Sequence, residues 1–269
     1  MKKRWTALLL AAMMLLGCAG TKIKVENAIP TEKIEGSTLY VKKVDNLSDD
    51  FIMGMDASSV IAEEQSGVKY YNFAGEEQDV FKTLAENGIT HIRVRVWNHP
   101  YDAEGHGYGG GNCDVEKAVE IGKRATQYGM RLIVDFHYSD FWADPGKQMV
   151  PKAWADYDLE AKAVALEAYT HDVLTTLRNA GVDVGMVQVG NETNSGLCGE
   201  TEWSAITKLM AAGSRAVRAV YPQAKVAVHF ANPENGKYNT YATNLKSTGW
   251  TMTSSAPPTT PTGTAVWKT

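Results

Sequence analysis

Strand-like and helix-like segments alternate five times along this chain, and this alternation constrains the fold more than any other feature. Each short run of branched apolar residues is followed by a longer segment of helical periodicity; three of these segments stop at a glycine and one before a proline. Such an order predicts parallel strands covered by helices. The predicted strands are residues 51–56, 89–97, 130–136, 182–189 and 225–230, and the predicted helices are 76–87, 115–128, 159–180, 203–220 and 238–246.

Two architectures satisfy this order, a (β/α)₈ barrel and an open doubly wound sheet. The nucleotide-binding form of the open sheet loses support because no Gly-x-Gly-x-x-Gly follows the first strand. Polar and aromatic residues recur where the predicted strands end, and a barrel gathers those ends around one site. These residues are Asp56, Arg93, Arg95, Trp97, Asp135, His137, Asn191, Glu192 and His229. We therefore predict an α/β fold of the (β/α)₈ TIM-barrel type, incomplete because about five βα units are present.

The fourth predicted strand ends in Gly190-Asn191-Glu192. An unpaired carboxylate costs several kcal/mol to bury, so a strand end that carries one suggests a site that uses it. In glycoside hydrolysis a Glu can protonate the leaving oxygen, and an Asn can hold a sugar hydroxyl. The alternative is that Glu192 caps the helix that follows, since loops between strands and helices often carry polar caps.

Two of the segments between a strand and the next helix are long. Residues 98–112 are rich in Gly and His, and residues 137–156 contain Tyr138, Trp142 and Trp154. Long loops in compact domains tend to be functional, and exposed aromatic rings can stack on sugars. Ordinary packing is the alternative for each tryptophan.

Composition excludes some classes of function. A chain of 269 residues that is 44% hydrophobic and 22% charged is long enough for one large globular domain. The net charge is −4 and no basic stripe is present, so nucleic acid is not an expected partner. No Cys/His cluster has metal-ligand spacing, and we predict neither a metal nor a cofactor.

The N-terminus predicts export. A basic start precedes an apolar run at residues 7–16, which is too short to span a bilayer, and the run ends in Leu15-Leu16-Gly17-Cys18. This ending resembles a bacterial lipobox, which predicts a signal peptide over residues 1–18 and lipidation of Cys18; an ordinary secretory signal is the alternative. Residues 19–50 would then be a tether and entry segment. The expected location is extracytoplasmic, lipid-anchored to a bacterial membrane, at the outer membrane or cell surface.

Export permits a disulfide between Cys113 and Cys198, but sequence spacing does not decide between a disulfide and two free thiols.

Four motifs occur in order along the chain: FIMGMDASS at 51–59, IRVRVW at 92–97, DFHYSDFWADPGKQ at 135–148 and VGNE at 189–192. Together they closely resemble glycoside hydrolase family 53. The resemblance implies an endo-β-1,4-galactanase that cuts the galactan backbone of type I arabinogalactan, in pectic side chains, by a retaining mechanism with two Glu residues. It implies a (β/α)₈ barrel and places the acid/base at Glu192.

The resemblance also suggests roles around Glu192. Asn191 would hold the hydroxyl beside the reacting carbon. Arg93 or Arg95, which lie on one face of a strand, would orient the nucleophile, with a structural ion pair as the alternative. The remaining candidates for sugar binding are His137 and His229, which suit hydroxyls, together with Trp97, Trp142, Asp144 and Asp56.

The sequence departs from the family after residue 249. The family's nucleophile Glu follows the seventh strand, and no later Glu of this chain takes its place by motif. Residues 250–269 are rich in Thr, Pro and Ser, which predicts disorder. A shifted reading frame permits Tyr-Tyr-Pro-x-Trp-His-Gly, which resembles the family's sixth strand and loop, so we expect a frameshift near residue 249 or 250. Residues 51–249 would form a partial barrel. The chain would be either part of a galactan hydrolase or a catalytically dead remnant, which would bind galactan or not fold at all.

Overall fold

The computed structural model describes residues 51–250 throughout, together with Ile23, Gly36, residues 44–48 and residue 50, and the backbones of two short strands at 254–255 and 265–268. The predicted signal peptide, the lipidation site Cys18 and most of the predicted tether lie outside the described residues. Among the residues that are described, no helix is both long and apolar enough to cross a membrane.

The predicted order of elements is confirmed over the described residues, with one α-helix, two tail strands and two short 3₁₀ helices (Lys152–Trp154 and Pro233–Asn235) added. The six-residue helix α1 was not predicted from the sequence, and the first predicted helix is α2. The elements are β1 (Gly54–Asp56), α1 (Val60–Gln65), α2 (Val80–Glu86), β2 (His91–Val96), α3 (Val115–Gln127), β3 (Arg131–Phe136), α4 (Leu159–Asn179), β4 (Val184–Val189), α5 (Trp203–Val220), β5 (Lys225–Phe230), α6 (Tyr238–Ser247), β6 (Ser254–Ser255) and β7 (Ala265–Lys268).

Local chemistry sets the helix ends. Helices α2, α3 and α4 each start at an aspartate whose side chain accepts a hydrogen bond from a backbone N–H of the first turn. The predicted glycine stops are present, since Gly88, Gly129 and Gly181 follow these helices with φ of 81°, 80° and 77°. A positive φ at this position costs glycine little, and this is why the helices end there.

The first five strands form a parallel sheet in chain order, each paired with the next. The helices cover its outer face, and the sheet curls into part of a barrel. This is the predicted incomplete (β/α)₈ type with five βα units. The strand ends converge on one rim, as parallel strands require.

Alternation along the strands separates core from site. On β2, Ile92, Val94 and Val96 are almost completely buried towards the helices, and the side chains between them, Arg93 and Arg95, face the barrel interior. Strands β3 and β4 follow the same rule, which places Asp135 and Gln188 inside. The barrel interior is therefore polar at the C-terminal rim.

The described residues of the predicted disordered tail, 254–255 and 265–268, form two strands. The backbone of β7 pairs antiparallel with β5, and β6 pairs with β7. An edge strand carries unpaired N–H and C=O groups, which an extended segment can satisfy. The rest of the predicted tail after residue 250 lies outside the described residues.

Both cysteines of the barrel region, Cys113 and Cys198, are buried free thiols. Of the two alternatives that the sequence left open, the structure has the unpaired one.

Candidate active site

Arg93 connects three strand ends. Its Nη1 donates to Asp56 Oδ2 at 2.6 Å, and its Nη2 donates to Asp135 Oδ2 at 2.5 Å and to Asn191 Oδ1 at 3.0 Å. The structure thus places Arg93 in ion pairs inside the barrel, the alternative role that the sequence kept open, and also against the amide of Asn191. Arg93 therefore orients Asn191.

Asp135 is fully buried and accepts from three donors. Besides Arg93, these are His137 Nε2 at 3.1 Å and Gln188 Nε2 at 2.5 Å. Burial alone would raise the pKa of Asp135, but Arg93 and then His137 outweigh it and hold the pKa below its usual value. Asp135 is therefore a buried anion that fixes its three partners.

Arg95 takes a different direction from Arg93. Its guanidinium lies over the ring of Trp142, with Cζ 4.2 Å from the ring centroid, and donates to Ser59 Oγ at 3.1 Å and to the Gly110 carbonyl at 3.3 Å. Arg95 therefore supports an aromatic ring and does not join the ion pairs of Arg93.

His137 lies in the cleft wall with both ring nitrogens engaged. Nδ1 accepts from the Ala143 N–H at 3.0 Å, so the ring proton resides on Nε2 and points to Asp135. The direct bond to a sugar hydroxyl expected from the sequence would require one of these bonds to be released.

His229 is buried beside the Gly190-Asn191-Glu192 segment. Its Nδ1 lies 3.3 Å from the backbone nitrogen of Glu192 and 2.9 Å from Asn191 Oδ1. Burial is the largest cause that lowers the pKa of His229, to about 4. The ring is therefore neutral near neutral pH.

The amide of Asn191 is fixed by its neighbours. Nδ2 donates to the Ala143 carbonyl at 2.8 Å, and Oδ1 accepts from Arg93. Because an amide has two N–H donors, one donor beyond the bond to Ala143 is available for a ligand.

Glu192 does not cap the following helix, since α5 begins at Trp203 with Glu202 as its N-cap. Its φ of 50° is unusual for a non-glycine residue. Among the described residues, none donates a hydrogen bond to its carboxylate. Burial, and then the charge of Asp144, raise the pKa of Glu192 against the opposing effects of His137 and Arg93.

The strand ends enclose a cleft of about 330 Å³. Trp142 is 36% exposed there and packs on Trp97, with 5.5 Å between the ring centroids. Trp97 is 0% exposed, so it supports Trp142 and cannot stack on a sugar itself. Trp154 is also buried, by packing. The cleft is lined by Arg93, Ile133, His137, Trp142, Met186, Gln188, Asn191, Glu192 and His229.

The remaining predicted residues lie at the rim. Asp144 has a side chain that is 43% exposed, and its Oδ1 accepts from the Gly146 N–H at 2.8 Å. Asp56 accepts from the N–H and Oγ of Ser58, and it pairs with Arg93. Neither lines the cleft.

Sequence reasoning missed two glutamines. Gln188 lies inside β4 and contacts Asp135, Asn191 and His229. Gln148 Nε2 donates to the carbonyls of Asn191 and Glu192 at 2.8 and 3.3 Å. The sequence signal that could have identified Gln188 is a polar residue inside an otherwise apolar strand. For Gln148 the sequence has no such signal apart from its place in the family motif.

One group in the described part of the chain has donor atoms close enough for a metal ion. These are Asp102, Glu104 and His106, whose donor atoms lie within 4.8 Å of one another. Asp102 Oδ1 already accepts from the backbone N–H groups of Glu104 and His106, at 3.0 and 2.7 Å. That carboxylate closes the turn, and we assign the group no metal role.

Comparison with known proteins places this geometry in a family. Residues 52–253 match the family model of glycosyl hydrolase family 53. The chain is 50% identical over 248 residues to an endo-beta-1,4-galactanase of Bacillus subtilis (strain 168), covering 91% of this chain and 58% of that protein. It is 36% identical over 203 residues to an arabinogalactan endo-beta-1,4-galactanase of Humicola insolens, covering 73% and 58%.

Comparison with solved structures gives the same family. The catalytic domain of the Ignisphaera aggregans family 53 protein has a TM-score of 0.76 at 37% identity, covering 79% of this chain and 60% of that one. A fungal beta-1,4-galactanase structure has a TM-score of 0.67 at 36% identity, covering 74% and 59%. The chain therefore spans less than two thirds of the length of these relatives.

Proposed function

Since the chain belongs to glycosyl hydrolase family 53, we propose that it carries the acid/base part of an endo-acting, retaining glycosidase that cleaves β-1,4-galactan of type I arabinogalactan. The observation that supports this most directly is Glu192. It is a cleft carboxyl with a raised pKa and, among the described residues, no hydrogen-bond donor of its own. A general acid needs these two properties.

The neighbouring residues have roles that follow from their contacts. Glu192 would protonate the oxygen of the leaving galactosyl unit and later accept a proton from the attacking water. The second N–H of Asn191 Nδ2 would donate to the hydroxyl beside the reacting carbon. Trp142, exposed at the cleft and supported by Arg95 and Trp97, would stack on a galactose ring.

A retaining mechanism needs a second carboxylate about 5–5.5 Å from the first. Among the residues that line the cleft, Glu192 is the one carboxylate. Asp56 and Asp135 are held by Arg93 and are not available as nucleophiles. The family resemblance puts the nucleophile at the seventh strand end, so we propose that hydrolysis belongs to a longer protein. Binding of galactan without hydrolysis is the second candidate function of these 269 residues.

An assay with two proteins tests both candidates. The 269-residue chain and a longer protein that continues in the shifted frame are incubated with β-1,4-galactan, and products are followed by chromatography and by the anomeric signals in NMR. We expect short galacto-oligosaccharides of retained configuration from the longer protein only. Robust hydrolysis by the 269-residue chain would show that the nucleophile has been misplaced.

We further propose that the protein is anchored outside the cytoplasm by lipid on Cys18, where galactan would be accessible, at the outer membrane or cell surface. The support is the Leu-x-Gly-Cys sequence after a short apolar run. Mass spectrometry of the mature N-terminus tests it: a diacylglyceryl-modified Cys18 is expected, and an unmodified terminus elsewhere refutes the anchor.

A further inference from the structure

Glu192 occupies a backbone conformation that neighbouring residues must hold. Its φ is 50°, and Gly190 two residues earlier has a φ of 104°. A left-handed conformation at a non-glycine residue persists only where the surroundings impose it. The contacts that impose it therefore determine where the Glu192 carboxyl points.

Those contacts join the segment that follows β4 to the C-terminal end of β5. The regular pairing of the two strands stops at Gln188 and Ala227. Beyond it, the Glu192 N–H points to His229 Nδ1, at 3.3 Å between nitrogens, and the Thr193 N–H and Oγ1 donate to the His229 carbonyl at 2.8 and 3.0 Å. We call residues 192–194 and 229–231 with these bonds the clamp.

The side chain of Asn194 completes the clamp with two hydrogen bonds to the backbone of Ala231. Its Nδ2 donates to the Ala231 carbonyl at 2.8 Å, and its Oδ1 accepts from the Ala231 N–H at 2.8 Å. The side-chain amide of Asn194 thus takes the place of a backbone amide of a neighbouring strand, since it both donates to and accepts from the backbone of Ala231. Nδ2 also lies 3.2 Å from the hydroxyl of Tyr241 on α6, and the Asn194 N–H donates to the Glu192 carbonyl at 2.8 Å.

From this geometry we infer that Asn194 is a positioning residue, which fixes the Glu192 carboxyl by pairing the segment after β4 with the C-terminal end of β5. The inference rests on the proposed role of Glu192 as proton donor. Nothing in Asn194 reaches the cleft, so it acts through the backbone of Glu192.

The experiment follows the titration of the Glu192 carboxyl in the 269-residue chain by carbon NMR with labelled glutamate. The signal is assigned by its loss in Glu192→Gln. In Asn194→Ala and in Asn194→Leu, which keeps most of the volume, the released segment exposes the carboxyl to water. We expect Glu192 to titrate at lower pH than in the parent chain, because burial is the largest cause of its raised pKa.

The charged and titratable groups around Glu192 are unchanged in these variants. They are Asp135 on β3, His137 directly after β3, Asp144 in the loop that follows, Arg93 on β2 and His229 on β5. A change in the titration therefore reports the position and hydration of the carboxyl. Thr193→Val keeps the shape of the side chain and removes one clamp bond; we expect a smaller change in the same direction, and this variant is used if both Asn194 variants fail to fold.

Asn72 provides the matched control. In the hairpin between α1 and α2, its Oδ1 accepts from the N–H groups of Ala74 and Glu76, and its Nδ2 donates to Glu76 Oε2 at 3.0 Å. Asn72→Ala and Asn194→Ala should each lower the melting temperature, by about 2–4 °C per kcal/mol for a chain of this size. Only Asn194→Ala should move the Glu192 titration.

Two results overturn the inference: a Glu192 titration in the Asn194 and Thr193 variants that coincides with the parent, or an equal shift in Asn72→Ala. The measurement uses no galactan. A longer protein that fails to hydrolyse galactan would refute the proposed function and leave this result unaffected.

Discussion

Removing Arg93 should reveal how much its charge contributes to the stability of the barrel rim. In Arg93→Met the apolar stem is kept, and Asp135 loses its cationic partner. Removal of one partner of a buried ion pair costs about 3–5 kcal/mol. The Arg93 side chain is 27% exposed, although that of Asp135 is 0% exposed, and His137 and Gln188 continue to donate to Asp135. We therefore expect the lower end, about 3 kcal/mol.

That cost is a large share of the total stability of a typical protein, about 5–15 kcal/mol. Urea unfolding measures it: with a slope of about 1–3 kcal/mol per molar, the midpoint should fall by about 1–3 M. The control is Arg215→Met, which breaks the exposed pair of Arg215 with Glu167; we expect a loss of about 0–1 kcal/mol there. Equal losses in the two variants would refute the reasoning.

The pH dependence gives a second check on the same variant. In the parent chain the folded pKa of Asp135 is lowered, so its contribution is present above the unfolded pKa of about 3.9 and is lost as the pH falls through the folded pKa. In Arg93→Met, burial without the guanidinium should raise the folded pKa instead. The free energy of unfolding that Arg93→Met loses relative to the parent chain should then be largest at neutral pH. This loss should shrink on acidification towards the unfolded pKa. A loss that is constant between pH 7 and pH 5 would contradict this.

Three further changes test the cleft. In the longer protein, Glu192→Gln should lower turnover by orders of magnitude. In the 269-residue chain the same change should raise the free energy of unfolding at pH 7, because the folded pKa of Glu192 is raised. This gain in stability should vanish below the unfolded Glu pKa of about 4.3. Gly190→Ala should lower the melting temperature, since its Cβ would lie 2.7 Å from Thr193 Cγ2 at a φ of 104° and such strain costs about 1–3 kcal/mol. Trp142→Ala should weaken the binding of galacto-oligosaccharides in calorimetry by about 0.5–1.5 kcal/mol without unfolding the chain; unchanged affinity would remove Trp142 from the sugar site.

Periodicity predicted the fold because burial follows it. The alternation of Ile92, Val94 and Val96 with Arg93 and Arg95 is a direct consequence of strand geometry, so the sequence already separated the core from the interior of the barrel. Helix α1 escaped prediction because six residues, Val60–Gln65, hold too little periodicity to recognise. The tail strands were missed since their pairing depends on the free edge of β5, which is a tertiary property.

The candidate site was predicted in its residues and less well in their contacts. Arg93 and Arg95 are equivalent by alternation, and only the positions of Asp135 and Trp142 separate an ion-paired guanidinium from one stacked on a ring. Trp97 and Trp142 are equally aromatic in sequence, but one is buried beneath the other. Such differences depend on distances between segments that are far apart in the chain, which no local pattern encodes.

Burial is the largest cause of the raised pKa of Glu192, and the charges at the rim do not cancel it. Asp56 and Asp135 surround the guanidinium of Arg93, so one positive charge faces two negative ones. Arg95 is directed to the ring of Trp142, and burial keeps His229 neutral. After burial, Asp144 contributes most to the raised pKa of Glu192, His137 and Arg93 lower it, and Asp135 raises it by a smaller amount. The raised pKa of Glu192 thus arises from burial and from Asp144, while the guanidinium of Arg93, which fixes Asn191 beside it, opposes the shift.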